Sequence, residues 1–266
     1  MPVTAERRTV RLAAVADVHC TKSPPGVLAS VFTEAAAQAD VLLLAGDLTD
    51  YGLPDEARVL AGELSGVKIP VVAVLGNHDF ESGKEEEVVA ILTEAGVKVL
   101  DGDSVEVHGI GFAGVKGFGG GFGRRTLEPW GERAVKAFVR EAVDEALKLE
   151  RALARLRTPQ RVALLHYAPI EATVEGEPRE IFSFLGSSRL EEPLNRYRVT
   201  VAFHGHAHRG APEGRTSTGI PVFNVAMPLL RRALSDTLPV RVLEVPALEP
   251  VSVSDEPPSR RRDDPT

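Results

Sequence analysis

The amino-acid sequence predicts a layered α/β protein, in which two β-sheets pack against each other and helices cover their outer faces. Three observations support this prediction. In the first half of the chain, short β-branched runs alternate with longer helical patterns, whereas short strands and glycines dominate after residue 96. The chain also has 266 residues, 43% of them hydrophobic, which is enough to bury a full core.

The first group of predicted elements consists of short apolar runs that are rich in β-branched residues. Runs of this length and composition are typical of strands buried inside a sheet. The predicted buried strands are residues 9–16, 40–45, 71–75, 161–165 and 199–203.

Four helices are predicted between or after these strands. Leu28, Val31 and Phe32 recur at helical spacing in the first helix, and Pro54 opens the second, as proline often does. The longest helix keeps apolar residues at helical spacing between many charges, which predicts an amphipathic helix packed on a sheet. The predicted helices span residues 26–38, 54–64, 84–95 and 131–157.

The strands after residue 96 predict a second sheet with antiparallel pairs. They are residues 97–100, 104–107, 110–115, 220–225 and 240–245. We expect residues 1–250 to form a single domain. Residues 251–266 are rich in proline and charge and have little apolar surface to bury, so we expect a disordered tail there.

Charge and cysteine content restrict the possible function classes. Lys and Arg total 31 against 38 Asp and Glu, a formal charge of −7, which argues against a broad basic surface for nucleic acid. Cys20 is the single cysteine, so an internal disulfide and a four-thiolate zinc site are excluded, and a reducing cytoplasm is the expected location. The apolar run near the N-terminus is interrupted by Arg11 and Asp17 and is too short for a membrane span, so no membrane association is expected.

Polar side chains with metal-binding chemistry follow several of the predicted strands, at the edge where open α/β sheets bind ligands. Asp17 and His19 are two residues apart, as are His206 and His208, so each pair can present two donors to one side of an extended segment. Imidazole, carboxylate and amide donors without thiolate suit Mn²⁺, Fe, Zn²⁺ or Ni²⁺ better than an all-oxygen calcium site. The sequence therefore predicts a metal site, and the donors at the strand ends are Asp17, His19, Asp47, Asn77, His78, His166, His206 and His208.

The order of these residues resembles the calcineurin-like metallophosphoesterase superfamily. The blocks that carry the resemblance are Asp17-Val18-His19, Gly46-Asp47, Gly76-Asn77-His78-Asp79, His166 and Gly205-His206-Ala207-His208. The resemblance implies a four-layer α-β-β-α sandwich of two mixed sheets with a centre of two divalent transition-metal ions, manganese being expected. It implies that one metal is held by Asp17, His19, Asp47 and His208. The other would be held by Asp47, Asn77, His166 and His206, with Asp47 bridging both.

The implied reaction is the hydrolysis of a phosphate ester by a metal-dependent enzyme. Two ions can share a hydroxide that attacks phosphorus, and they can stabilise the attacking and leaving oxygens. His78 is expected beside the substrate rather than on a metal, where it could protonate the departing oxygen. Asp79 is expected to orient His78, so both are candidate catalytic residues.

The glycine-rich segment 117–125 is a candidate substrate loop. Its aromatic residues could stack on a base, and its arginines could bind phosphate. These candidate substrate contacts are Phe118, Phe122, Arg124 and Arg125. A flexible connector into the long helix, with Trp130 packed on that helix, explains the segment equally well.

The expected substrate is a phosphodiester, from a nucleotide or a short single-stranded nucleic acid, because the acidic chain lacks a basic groove for a duplex. A phosphomonoesterase or protein phosphatase of the same fold is one alternative, and a metal-binding scaffold without catalysis is another. Residues 109–114 satisfy the pattern G-x-G-x-x-G, but no helix pattern opens there, so dinucleotide binding is not predicted. The sequence makes no prediction of the oligomeric state.

Overall fold

The structure of the protein, a computed structural model, describes residues 7–22, 26–234 and 237–248. The helices are α1 (Val27–Gln38), α2 (Pro54–Leu64), α3 (Glu85–Glu94), α4 (Arg133–Arg155), α5 (Phe182–Leu185), α6 (Glu191–Arg196) and α7 (Met227–Ala233). The strands are β1 (Arg7–Val15), β2 (Val41–Ala45), β3 (Val71–Val74), β4 (Val97–Val99), β5 (Asp103–Val107), β6 (Ile110–Val115), β7 (Gln160–Leu165), β8 (Val201–His204), β9 (Glu213–Arg215), β10 (Pro221–Asn224) and β11 (Arg241–Leu248). The tail expected at residues 251–266 lies outside the described residues.

The first sheet has five strands in the order β11-β1-β2-β3-β4. The strands β1 to β4 are parallel and are connected in turn by α1, α2 and α3, whereas β11 pairs with β1 in antiparallel direction. Parallel strands need such crossover connections, which place helices on the face of the sheet. Phe32, Leu60 and Leu92 of these helices are fully buried against that face.

The second sheet has six strands in the order β5-β6-β7-β8-β10-β9. The four central strands are parallel, and the two edge strands are antiparallel to their neighbours. The helix α4 connects β6 to β7 and covers the outer face, where Leu149 and Leu153 pack in one cluster with Leu165. The longest predicted helix is thus present and packs on a sheet.

The inner faces of the two sheets share one apolar core. It includes Leu12, Leu43 and Val72 of the first sheet and Phe112, Leu164 and Phe203 of the second. Because side chains alternate between the faces of a strand, each sheet buries one set of residues between the sheets and the other set under helices. The layer order of helix, sheet, sheet and helix confirms the predicted four-layer α-β-β-α sandwich.

Two strands that the sequence assigned to the second sheet belong to the first. The strand β4 lies parallel to β3, because α3 returns the chain to that edge of the first sheet. The strand β11 pairs with β1 from Arg7 opposite Leu248 to Ala14 opposite Arg241. The prediction for residues 97–100 and 240–245 is therefore correct in secondary structure and wrong in sheet membership.

Most predicted boundaries agree with the structure within two residues, and α2 has the predicted bounds 54–64. The sequence analysis missed α5, α6, α7 and β9. Elements of three to seven residues contain too few apolar positions to show a period. Within the described parts of the chain, no helix is both long enough and apolar enough to cross a membrane.

Candidate metal centre

Strand ends from both sheets meet at one edge of the sandwich. Backbone hydrogen bonds join the sheets there: the Ala16 N–H donates to the Val225 carbonyl at 2.9 Å, and the Met227 N–H donates to the Ala16 carbonyl at 2.9 Å. Residues that follow β1, β2 and β3 consequently lie close to residues that follow β7 and β8. The structure thereby brings together the polar side chains of five strand ends.

Four candidate ligands have a backbone conformation that residues other than glycine rarely adopt. The φ angles are 55° at Asp17, 42° at His19, 48° at Asp47 and 68° at His206. A left-handed residue of this kind costs on the order of 1 kcal/mol, and such residues gather at functional sites. A hydrogen bond of 3.0 Å from the His19 N–H to the Asp47 carbonyl holds two of these residues together. Local sequence does not show this strain, so it is independent support for a functional site.

Gly76 and Gly205 leave room for the two carboxylates of the site. A Cβ atom on Gly76 would lie 2.2 Å from the Asp47 Oδ1, and one on Gly205 would lie 2.4 Å from the Asp17 Oδ2. A side chain at either position would therefore displace a carboxylate. The close approach of these segments requires glycine.

Asp17, His19 and His208 form the first of two clusters, with ligand atoms within 4.8 Å of one another. The Asp17 Oδ1 lies 3.0 Å from the His208 Nε2. Both Asp17 oxygens accept the backbone N–H of His206, at 3.1 and 3.0 Å. The hydrogen bond to Asp17 raises the pKa of His208. The buried Asp17 carboxylate thus directs its charge into this cluster.

Asp47, His166 and His206 form the second cluster, again with ligand atoms within 4.8 Å. The His166 Nε2 lies 3.3 Å from the Asp47 Oδ1 and 3.0 Å from the Asn77 Oδ1. Burial is the largest single influence and opposes the charge on Asp47 and on His166, but their mutual attraction and their hydrogen bonds together outweigh it. The pKa of Asp47 is held well below its usual range, and the pKa of His166 is raised to about 9. Burial and the nearby charge of His166 lower the pKa of His206 to about 4.

Asp47 lies between the two clusters. Its Oδ1 faces His166, and its Oδ2 faces the His19 Nε2 at 3.7 Å. The backbone N–H of His78 donates to the Asp47 Oδ1 at 2.9 Å and fixes the carboxylate. One oxygen therefore points toward each cluster, as a bridging ligand requires.

The surroundings of the His19 ring show whether these residues fit a metal. Both of its ring nitrogens are buried and have no hydrogen-bond partner among the described residues, although carboxylate oxygens lie 3.7 and 3.3 Å away. Buried polar atoms are normally satisfied, so an unpaired imidazole between two carboxylates has the character of a metal ligand. Imidazole and carboxylate groups also match the preferences of divalent transition metals. The residues fit the expected group.

Asp50 belongs to the site and was missed by the sequence analysis. Its carboxylate lies 3.3 Å from the His19 Nδ1, and its backbone carbonyl oxygen lies 2.7 Å from the His78 Nδ1. His19, Asp50 and His78 form a third group with ligand atoms within 4.8 Å. Its position three residues after Asp47, in the segment that leaves the same strand, is the feature that could have identified it.

His78 lies beside the clusters, and Asp79 supports the backbone. The His78 ring meets the His19 ring edge to face, with centroids 4.5 Å apart. The fully buried Asp79 carboxylate instead accepts backbone N–H groups of Leu48, Thr49 and Gly76 at 2.8 to 3.1 Å. The expected pairing of Asp79 with the His78 ring is not what the structure shows, because neighbouring side chains of the 3₁₀ turn His78–Phe80 point in different directions.

The aromatic residues of the glycine-rich segment are packing residues. Phe122 is only 5% exposed and belongs to an apolar cluster with Val174 and Leu185. The Phe118 ring lies 4.8 Å from the Phe138 ring and 5.7 Å from the Tyr167 ring. The stacking role expected for Phe122 is therefore wrong, since its ring is covered, and Phe118 packs between two other rings.

The two arginines of this segment are exposed in a 3₁₀ turn, Gly123–Arg125. Arg125 lines a small cavity together with Glu171 and Arg179, and none of the candidate ligands lines that cavity. Among the described residues, neither Arg124 nor Arg125 forms an ion pair with a candidate metal ligand. Trp130 is 70% exposed, so the alternative of Trp130 packed on α4 is not met either.

A four-layer α/β sandwich with aspartates, an asparagine and histidines at its joined strand ends is the arrangement expected of a metal-dependent phosphoester hydrolase. The sequence profile of the calcineurin-like phosphoesterases matches residues 10–210, and the chain belongs to this family. The matched range contains every candidate ligand and ends just after His208.

Curated relatives include the UDP-2,3-diacylglucosamine hydrolases of Salmonella arizonae and Salmonella typhi. Each is 24% identical over 238 residues, covering 80% of this chain and 88% of the relative. A phosphopantetheinyl hydrolase structure from Mycobacterium tuberculosis has a TM-score of 0.61 and 17% identity, covering 87% of this chain and 95% of that one. A Thermus thermophilus protein structure has a TM-score of 0.57 and 15% identity, covering 90% of this chain and 99% of that one. The structural likenesses show the shared fold.

Proposed function

We propose that this protein hydrolyses a phosphodiester of a small organic molecule, using two divalent cations held by the two clusters. The observation that supports this most directly is the position of His78 next to the Asp47 carboxylate. Its backbone N–H donates to that carboxylate, while its ring is held by the Asp50 carbonyl. The first cation would be held by Asp17, His19, Asp47 and His208, and the second by Asp47, Asn77, His166 and His206. Bound cations would neutralise phosphoryl charge and lower the pKa of a water nucleophile.

The charge around the site favours a diester over a monoester. Among the described residues, no lysine or arginine side chain forms a hydrogen bond or ion pair with a candidate ligand side chain; Arg232 donates to the backbone carbonyls of His208 and Pro228. A monoester carries up to two negative charges, whereas a diester carries one. A site with no lysine or arginine paired to its ligand side chains suits the singly charged substrate.

His78 has a defined task with such a substrate. In its protonated form, the ring donates from Nδ1 to the Asp50 carbonyl at 2.7 Å, which leaves Nε2 to donate to a departing oxygen. A diester loses an alkoxide, which needs a proton to leave. The anchored His78 ring can supply this proton.

The nucleic-acid part of the expected substrate loses its structural basis. Phe122 is buried, and the cavity that Arg125 lines includes none of the candidate ligands, so these two residues do not support binding of bases and phosphates at the site. The names of two relatives, a UDP-2,3-diacylglucosamine hydrolase and a phosphopantetheinyl hydrolase, refer to small organic groups. We therefore favour a small substrate.

Manganese and a cytoplasmic location complete the proposal. The site offers nitrogen and oxygen donors, and burial raises the pKa of the Cys20 thiol to about 11, so no thiolate is at hand. The carboxylate and amide oxygens suit Mn²⁺, while the imidazole nitrogens also suit Fe, Zn²⁺ or Ni²⁺. A single buried thiol also fits a reducing compartment.

The test compares bis(4-nitrophenyl) phosphate with 4-nitrophenyl phosphate on the manganese-loaded protein. We expect a higher kcat/KM for the diester and loss of both activities after chelation. Arg124→Ala with Arg125→Ala serves as the matched control and should leave both values unchanged. Equal or better hydrolysis of the monoester would contradict the diester preference. Two bound ions with no turnover would instead favour a metal-binding scaffold.

A further inference from the structure

The short helix α5 contacts a histidine of the second cluster through its backbone. The Phe184 carbonyl oxygen lies 3.1 Å from the His206 Nε2, and within the described part of the chain the His206 ring forms no other hydrogen bond. A carbonyl oxygen only accepts hydrogen bonds, so Nε2 carries the proton of the neutral ring. The lone pair of the ring is then on Nδ1, which is the nitrogen left to bind a cation.

Backbone hydrogen bonds from the glycine-rich segment 117–125 hold α5 in place. The Gly120 N–H donates to the Ser183 carbonyl at 2.7 Å, and the Gly121 N–H donates to the Gly186 carbonyl at 2.9 Å. The two acceptors lie on either side of Phe184 in the sequence. The position of the Phe184 carbonyl therefore depends on the position of the glycine-rich segment.

Gly119 permits the close approach of this segment to α5. A Cβ atom on Gly119 would lie 2.6 Å from the Ser183 carbonyl oxygen and 3.2 Å from the Phe184 Cα. Both of these atoms belong to the backbone, so they could move aside only if α5 itself moved. The φ angle of Gly119 lies outside the left-handed region, so its backbone conformation does not require glycine. The contact with α5 does require it.

Two further contacts connect this region to the second cluster. The carbonyl of Lys116, directly before the segment, accepts the backbone N–H of His166 at 3.0 Å. Phe122 of the segment and Leu185 of α5 are buried in one apolar cluster with Ala207, which lies between the paired histidines after β8. The segment and α5 thus support both histidines that would hold the second cation.

We propose that the glycine-rich segment is a positioning element for the metal centre. It holds the Phe184 carbonyl against the His206 Nε2 and so directs the unprotonated Nδ1 to the second cation. This inference rests on the two-cation arrangement proposed above. A group that orients a metal ligand through its other ring nitrogen changes metal affinity by about 10- to 100-fold when it is lost. The glycines then act in metal binding, in place of the substrate contact expected from the sequence.

The first test is calorimetric titration of Mn²⁺ into the metal-free full chain and its Gly119→Ala variant. We expect the variant to bind the second cation about tenfold or more weakly, while the affinity for the first cation stays at the wild-type value. His206→Ala identifies the binding step that belongs to the second cluster. Gly62→Ala is the matched control, because its φ angle is also outside the left-handed region and its Cβ would meet no atom within 4 Å. It should retain both affinities.

The second test reads the His206 ring directly and needs no metal. Nitrogen-15 NMR of the imidazole groups distinguishes a protonated from an unprotonated ring nitrogen, and His206→Ala assigns the signals. In the metal-free wild-type protein at neutral pH, we expect the proton on Nε2 and none on Nδ1. In Gly119→Ala we expect a mixture of both neutral forms. The wild-type spectrum decides even if Gly119→Ala does not fold, since a proton on Nδ1 would overturn the proposal.

The two tests separate this inference from the proposed function. Wild-type cation affinities and an unchanged His206 spectrum in Gly119→Ala would overturn the positioning role and leave the hydrolytic proposal intact. Equal weakening of both cations in Gly119→Ala would also overturn it, because the segment would then support the fold in general. The expected NMR change in a protein that binds no Mn²⁺ would support the positioning of the ring and overturn the hydrolytic proposal.

Discussion

The two oxygens of the Asp47 carboxylate face different histidines, His166 at 3.3 Å and His19 at 3.7 Å. A single carboxylate between two cations holds both, so its removal should affect both sites. We expect Asp47→Ala to lose both ions, as measured by the metal-to-protein ratio after gel filtration. Asp40→Ala, which removes a surface carboxylate paired with Arg11, is the control and should retain two ions. Two ions and near-normal turnover in Asp47→Ala would refute the bridging role.

His78 contacts the site through its ring and its backbone, but its ring nitrogen Nδ1 is engaged by a carbonyl oxygen. If its role is proton donation, His78→Ala should keep both metals, while kcat falls by on the order of 10² to 10⁴. Metal content and kcat should be measured on the same preparation. Parallel loss of metal and activity would show that His78 is a ligand in the third group with His19 and Asp50.

At the scale of elements, the segments after β2 and β3 are tied together by Asp79. Its carboxylate accepts the backbone N–H groups of Leu48, Thr49 and Gly76 and the Thr49 hydroxyl, the last at 2.6 Å. Asp79→Ala would leave these buried donors unpaired, at a cost of about 3 kcal/mol or more. We therefore expect a clearly lower urea midpoint, measured against His78→Ala, which should unfold near the wild-type midpoint. A wild-type midpoint in Asp79→Ala would contradict this structural role.

The strand ends could be predicted from sequence because each apolar run is followed directly by a polar residue. Asp17, Asp47 and His166 each come within two residues of the end of a strand, and a parallel sheet brings such ends to one edge. Asp50 could not be predicted with equal ease, since it contacts the site partly through its backbone carbonyl. A sequence pattern shows which side chains follow a strand, but it does not show which backbone carbonyl groups will face a site.

The glycine-rich segment shows where local patterns fail. Glycines permit many backbone paths, so the composition of residues 117–125 does not determine which way Phe118 and Phe122 point. Packing decides it: Phe122 is covered by residues that lie more than forty positions further along the chain, such as Val174 and Leu185. The sheet membership of β4 and β11 is likewise set by pairing with distant strands.

At the scale of the whole molecule, the candidate centre joins the two sheets. Asp17, Asp47 and Asn77 come from the first sheet, and His166 and His206 come from the second. Cations that bind both sets of residues would stabilise the folded state by mass action. The free energy of unfolding would rise by about 4 kcal/mol when the free cation concentration is a thousand times Kd. The same residues that would serve catalysis would therefore also stabilise the packing of the sheets.

The stability of the metal-free protein should depend on pH in a way that metal removes. The pKa of His166 is raised to about 9, so its contribution to stability is full below its ordinary pKa of 6.5 and is lost as pH rises through about 9. The pKa values of His206 and His204 are lowered by burial to about 4, so both residues cost stability as pH falls below 6.5.

The protein freed of metal by a chelator should therefore have its highest Tm near pH 6.5 and lose several degrees toward pH 9. A cation can replace the proton on His166, so the alkaline loss should disappear after manganese loading. Thermal unfolding of both forms across this range is the measurement, and parallel pH profiles for the chelated and loaded protein would contradict metal binding at His166.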